Sequence, residues 1–232
     1  MPITSGRLFR DRFPLFYSIY NKLRRDYYLI GFRRNPDHRK AKHIFRHYFE
    51  RNLFGDPDSL SGTGSSLPAT RTIRENIPAV LKRIGARTVL DLPCGDFYWV
   101  REIDWSDFDY LGCDVVSELI EQNAAQFTAG NIHFAEIDVL EGEIPARDVI
   151  LCRDLLIHFP NAEAMRSVAA FKRSGSRYLL TTHYTGIKRN KDIPMGSFRP
   201  VNLNLEPFSF PEPETVIRDD DYIKLWGKTL AL

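Results

Sequence analysis

The chain has 232 residues, enough to bury one sizeable core with a modest extension beside it. Apolar residues make up 43% and charged residues 27%, which excludes an intrinsically disordered or collagen-like chain. The net charge of +2 is a cancellation, because residues 1–51 hold 13 Lys/Arg against 4 Asp/Glu while the remainder holds 19 against 26. No stretch approaches the roughly 18–20 consecutive apolar residues of a membrane-spanning helix, and the N-terminus lacks an apolar core followed by a small-residue cleavage site. Three widely spaced cysteines, Cys94, Cys113 and Cys152, argue against a disulfide framework and for a reducing compartment. A cytoplasmic protein is expected.

Residues 1–51 interleave cations and rings, as in Arg7-Leu8-Phe9-Arg10 and Phe32-Arg33-Arg34, and Pro14, Gly31 and Pro36 are expected to cut them into short helical pieces. Such a segment either packs its rings on the main domain as a helical lid, or lies on an anionic membrane surface or on nucleic acid. The lid is the expectation for residues 1–53, with peripheral membrane contact as its alternative. His43 and His47 are four apart but lack further ligands, so no metal is expected. The polar connector 56–66, with two Gly and four Ser, reads as a linker or an anion-cradling turn. Thr70 should then cap a helix running to Ile84, kinked or restarted at Pro78 and closed by Gly85.

From Ala86 the pattern becomes regular. Apolar runs at 88–92, 110–115, 132–137, 148–152 and 178–182 read as strands, and 95–103, 117–127 and 162–173 read as helices. Strands alternating with helices at this spacing give an α/β fold, a mostly parallel sheet covered on both faces. Ligands of such sheets sit at the carboxyl ends of the strands. Four successive strands here end in acids, at Asp91, Asp114, Asp138 and Cys152-Arg153-Asp154.

An acid after the second strand suits ribose hydroxyls, as in dinucleotide-binding folds. The glycine fingerprint for a pyrophosphate is missing, however: Pro93 and Phe97 stand where glycine is needed, and Asp96 would repel phosphate. A phosphate-free cofactor with a positive centre fits an acid-lined rim better, and S-adenosylmethionine is of that kind.

The run Val89-Leu90-Asp91-Leu92-Pro93-Cys94-Gly95-Asp96-Phe97-Tyr98-Trp99 resembles the first motif of class I S-adenosylmethionine-dependent methyltransferases, in the subgroup that writes it as aspartate, any residue, Pro-Cys-Gly-Asp. Segments 61–66, 110–116, 151–160, 179–182, 190–193 and 198–203 are similar to that subgroup, so the likeness covers residues 54–232 as the methyltransferase domain. It implies a Rossmann-like class I fold with a mostly parallel seven-stranded sheet, helices on both faces and an antiparallel final pair drawn from Val216-Ile217 and residues 223–230. It implies that Asp91 and Gly95 shape the turn beneath the methionine moiety, that Asp114 takes the ribose hydroxyls, and that Asp138 with Val139 borders the adenine. Pro93, Cys94, Val115, Cys152 and Arg153 complete the cofactor contacts so implied. A carboxylate accepts both hydrogens of a diol, which agrees with the role given to Asp114.

Methyl transfer to a hydroxyl needs alignment and a base. His158 is the expected base on intrinsic pKa, with Asp154 four residues earlier facing the same cavity. His183, Asp192, Arg199 and Asn202 are the candidates for acceptor binding, the last three in a long loop, 190–213, placed to cover the acceptor. The expected activity is O-methylation of a small hydroxylated acceptor such as a sugar or glycan precursor. Its rivals are a nucleic-acid methyltransferase gripping phosphates with the basic N-terminus, and an inactive binding module.

Overall fold

A computed structural model describes residues 8, 10–32, 40–218 and 224–229. Two helices come first, α1 (Pro14–Phe32) and α2 (Ala41–Arg51), followed by α3 (Arg71–Arg83). Then come β1 (Thr88–Asp91), β2 (Asp109–Asp114), α4 (Ser117–Phe127), β3 (Ile132–Glu136), β4 (Val149–Cys152), α5 (Asn161–Arg173), β5 (Tyr178–His183), β6 (Thr215–Arg218) and β7 (Lys224–Thr229). The sheet order is β3-β2-β1-β4-β5-β7-β6. The first five are parallel, and β7 runs antiparallel to both β5 and β6.

Alternation along the buried strands builds two cores. Leu90, Ile150, Cys152 and Leu179 point to one face, where Ala164, Val168 and Phe171 of α5 cover them. Val89, Val149, Leu151 and Leu180 point to the other, beneath Ile73, Ile77 and Leu81 of α3. Phe171 is fully enclosed, and truncating it to Ala would cost ~3–5 kcal/mol. The strand order reverses between β1 and β4, so their carboxyl ends diverge into a crevice.

Three local expectations change. Pro14 opens α1 as its first residue, where its missing N–H costs nothing, and Gly31 lies inside the helix rather than breaking it; Pro36 lies outside the described residues. The helix expected over 95–103 is a set of turns with one 3-10 turn at Val100–Glu102. Gly95 and Phe97 both take left-handed backbone, at φ 56 and 56, because Asp96 is drawn away to bond the connector. Thr70 does not cap α3 with its side chain; its hydroxyl donates to the Ser66 carbonyl, and α3 runs unbroken through Pro78.

α2 docks across the body. Tyr48 donates its hydroxyl to the Gly196 carbonyl, Lys42 pairs with Glu136, Arg46 with Glu118, and Lys40 with Glu141 at 3.4 Å. A Cβ at Gly196 would stand 2.6 Å from Ile44, so glycine lets the helix approach. No helix of the described residues is long and apolar enough to cross a membrane.

Candidate functional site

An open cavity of about 1000 Å³, counting its mouth, lies at the carboxyl ends of β1, β2 and β4. Its floor begins with the turn after β1. The Gly95 amide donates to Asp114 Oδ2 at 3.3 Å, and the Val116 amide donates to Oδ1 at 3.1 Å. Each carboxylate oxygen therefore keeps a lone pair for a ligand. Burial pushes the Asp114 carboxyl up to about 6, against the pull of those amide hydrogen bonds. Asp138, after β3, spends Oδ1 on the Leu140 amide at 2.8 Å and leaves Oδ2 without a protein donor.

The connector and the turn hold each other. Asp96 accepts the Leu60 amide at 2.7 Å and the hydroxyls of Ser59 and Ser61, both at 3.1 Å, while its own amide donates to Ser61 Oγ. A Cβ on Gly95 would sit 2.2 Å from Ser61 Oγ, so this glycine is required both by its φ and by the close approach. The 61–66 segment and the Pro-Cys-Gly-Asp turn are thus two halves of one wall. Arg153 reaches the same connector, donating to the Gly64 carbonyl at 2.8 Å and lying over the Trp99 ring at 5.4 Å.

His158 and Asp154 line the cavity on the side of β4. The His158 Nδ1 lies 2.9 Å from the Ser197 carbonyl, which only accepts, so Nδ1 carries the proton and Nε2 the lone pair. Burial lowers the His158 pKa, which keeps the ring neutral. Phe45, Phe54 and Phe198 surround it at ring distances of 6.4, 5.2 and 6.2 Å. Asp154 has left-handed backbone at φ 59, its amide donating to Thr182 Oγ1. Its Oδ2 pairs with Arg153 at 3.1 Å and its buried Oδ1 has no partner.

Of the residues singled out from the sequence, Pro93, Cys94, Gly95, Asp114, Val115, Asp138, Val139, Arg153, Asp154 and His158 line this one cavity. Asp91 and Cys152 do not. Asp91 is buried, accepts the Tyr110 hydroxyl at 2.6 Å, and is pushed up to about 8 by burial. Cys152 is enclosed in the core, where its carbonyl accepts the Thr181 hydroxyl at 2.8 Å. The four acceptor-binding candidates also lie off the cavity, each with a structural duty. His183 Nδ1 accepts the Leu203 amide, and Asp192 takes the Asn161 amide at the start of α5. Arg199 is buried, donating to the carbonyls of Leu156 and Phe159 and to Asn161. Asn202 ties its own loop, to Ile187 and Asn204.

Sequence reasoning missed the aromatic wall. Phe45 and Phe49 of α2, Phe54, Trp99 and Phe159 line the cavity, so the expected boundary between residues 53 and 54 runs through the site itself. The four-residue spacing of Phe45 and Phe49 was the available signal. The described residues hold no group of three metal-ligating side chains, and all three cysteines are free and buried.

No protein-family model matches the chain, and no curated protein does. Solved structures do. Magnesium protoporphyrin IX methyltransferase from Synechocystis, solved with bound S-adenosylmethionine and with S-adenosylhomocysteine, matches with TM-scores of 0.52 and 0.55 at 15% identity, over 82% and 81% of this chain and 97% and 99% of that one. Human N-acetylserotonin methyltransferase, solved with S-adenosylmethionine, matches at 0.54 and 10% identity, over 82% of this chain and 57% of its own. The likeness is one of fold: this chain has the α/β Rossmann-like fold of these methyltransferases, with five parallel strands.

Proposed function

We propose that the chain is an S-adenosylmethionine-dependent methyltransferase of the class I, seven-stranded type, acting on a hydroxyl of a small acceptor such as a sugar or glycan precursor. The observation that carries this reading is the division of one cavity. Asp114 and Asp138 offer unspent carboxylate lone pairs on one side, and a neutral His158 with Nε2 unbonded stands on the other.

The residues fit the cofactor. Asp114 suits a ribose diol, Asp138 Oδ2 suits an adenine amino group, and the acids that would repel a phosphate suit a cationic, phosphate-free molecule. When bound, the cofactor supplies an electrophilic sulfonium methyl. Every other duty falls to the chain. His158 Nε2 would take the proton of the acceptor hydroxyl, leaving its oxygen free to accept the methyl group the cofactor would supply. The Ser197 carbonyl holds the ring in the tautomer that allows this. Asp154 lines the same cavity beside His158, on the side where the acceptor would lie. Phe45, Phe49 and Phe54 exclude water and give the apolar face of the acceptor a flat surface.

Calorimetric titration of the purified chain with S-adenosylmethionine and S-adenosylhomocysteine tests the reading. Saturable one-to-one binding is expected, and a chain that binds neither overturns it.

A further inference from the structure

The helix α1 is amphipathic the wrong way round. Its inward face is polar: Asn21 donates to the Gly55 carbonyl at 2.9 Å, Arg24 donates to the carbonyls of Asn52 and Arg51, and Tyr28 meets the Arg51 guanidinium at 4.9 Å. Its outward face is apolar. Leu15, Ile19, Leu23, Tyr27 and Ile30 recur at helical spacing and are exposed at 69%, 47%, 65%, 75% and 60%. A surface stripe of this kind on a monomer marks a site of contact.

The charges around the stripe select its occupant. Among the described cations of the segment, Arg10, Arg24, Lys42 and Arg46 are engaged on the body, while Arg12 and Lys22 are exposed beside the apolar residues. Asp26 lies among them, three residues after Leu23 and four before Ile30, and is partnered by Arg25 at 3.7 Å. A second copy of the chain seated on this face would bring Arg12 and Lys22 towards their own counterparts. Nucleic acid would want cations along the centre of the face, where this helix has leucine and isoleucine. An anionic bilayer wants what is present, an apolar centre that enters the headgroup boundary and cations at its margin.

We propose that α1 lies on anionic lipid membranes through its Leu15–Ile30 stripe. The inward face stays on residues 51–55, so membrane contact leaves the fold as it is. The inference stands independently of methyl transfer.

Co-sedimentation of the full chain with vesicles tests it, comparing phosphatidylcholine alone with vesicles holding about one-third phosphatidylserine. Binding to the anionic vesicles, weakened by salt, is expected. Serine at Leu15, Ile19, Leu23 and Ile30 together should lower that binding about tenfold or more, with an unchanged melting temperature because these side chains touch solvent. The variant R12E/K22E, which leaves the stripe intact, should lose the preference for anionic lipid. Failure of the wild type to bind, equal binding to neutral vesicles, or undiminished binding by the serine variant overturns the proposal. So does sedimentation velocity showing a wild-type dimer that the serine variant converts to monomer, because the stripe would then belong to a second copy.

Discussion

The strand ends and the loop over residues 184–213 carry similar polar side chains and use them differently. In the loop, Asn190, Arg199 and Asn202 spend their hydrogen bonds on backbone: Asn190 alone binds the carbonyls of Asn202, Leu205 and Glu206, and the loop's Leu203 amide donates to Nδ1 of His183 at the end of β5. At and just beyond the strand ends, Asp138 and His158 each keep one atom unbonded, and Asp114, with both oxygens bonded to amides, keeps lone-pair capacity on them. A long irregular segment inside a compact domain has many backbone groups to satisfy, and its polar side chains do that work. Residue type does not separate the two regions; unspent hydrogen-bonding capacity facing a cavity does.

Substitutions should separate them in the same way. The largest effect is expected for His158→Asn, which removes the base at Nε2 while its amide nitrogen, standing where Nδ1 does, keeps a donor for Ser197. Turnover, followed by methyl incorporation into the acceptor, should fall by about 10²–10⁴, with affinity for S-adenosylmethionine unchanged. Equal turnover would remove His158 from the chemistry. Asp114→Ala should weaken cofactor binding by roughly 100-fold, the loss of two charge-assisted hydrogen bonds, with only a small change in melting temperature, because removal of a buried carboxylate offsets the lost acceptors of the Gly95 and Val116 amides. Arg199→Ala reverses that profile. It takes the guanidinium donor from the Phe159 carbonyl and the Asn161 side chain and should cost ~1–3 kcal/mol by denaturant titration, while the folded protein binds the cofactor as before. If Arg199→Ala weakened binding and spared stability, the division between the two regions would collapse.

The strand-end acids were legible because topology converts sequence position into place. An acid just after a strand of a parallel sheet lands on the binding rim whatever the rest of the chain does. Asp114 and Asp138 were found that way. Asp91 ends a strand too, but in the parallel register it stands level with Gly112, two residues short of Asp114, where it bonds Tyr110 below the rim. Phe45 and Phe49 were not legible as site residues, because their place depends on how α2 docks, through ion pairs to Glu118 and Glu136 distant in sequence. The helix expected over 95–103 failed for a related reason. Its pattern was local, whereas Asp96 answers to Ser59, Leu60 and Ser61.

The smallest expected effect tests the rim against the core by pH. Burial raises Asp114 to about 6 and Asp91 to about 8, both above the roughly 3.9 of an unfolded aspartate. Between those values these two groups hold more protons in the folded chain than in the unfolded one, so the stability they contribute is full below about pH 4 and is lost as pH rises through about 6 for Asp114 and about 8 for Asp91. Cofactor affinity should run the opposite way, rising through about pH 6 as Asp114 ionises and becomes a pure acceptor for the diol. Denaturant titrations and calorimetry across this range should therefore show slopes of opposite sign. Tyr110→Phe removes the hydroxyl that favours the Asp91 carboxylate, and should cost about 1 kcal/mol near neutral pH without moving the pH dependence of cofactor binding. Parallel slopes for stability and affinity, or a Tyr110→Phe shift in the binding profile, would mean that Asp91 and Asp114 serve the ligand together and that the buried acid belongs to the site after all.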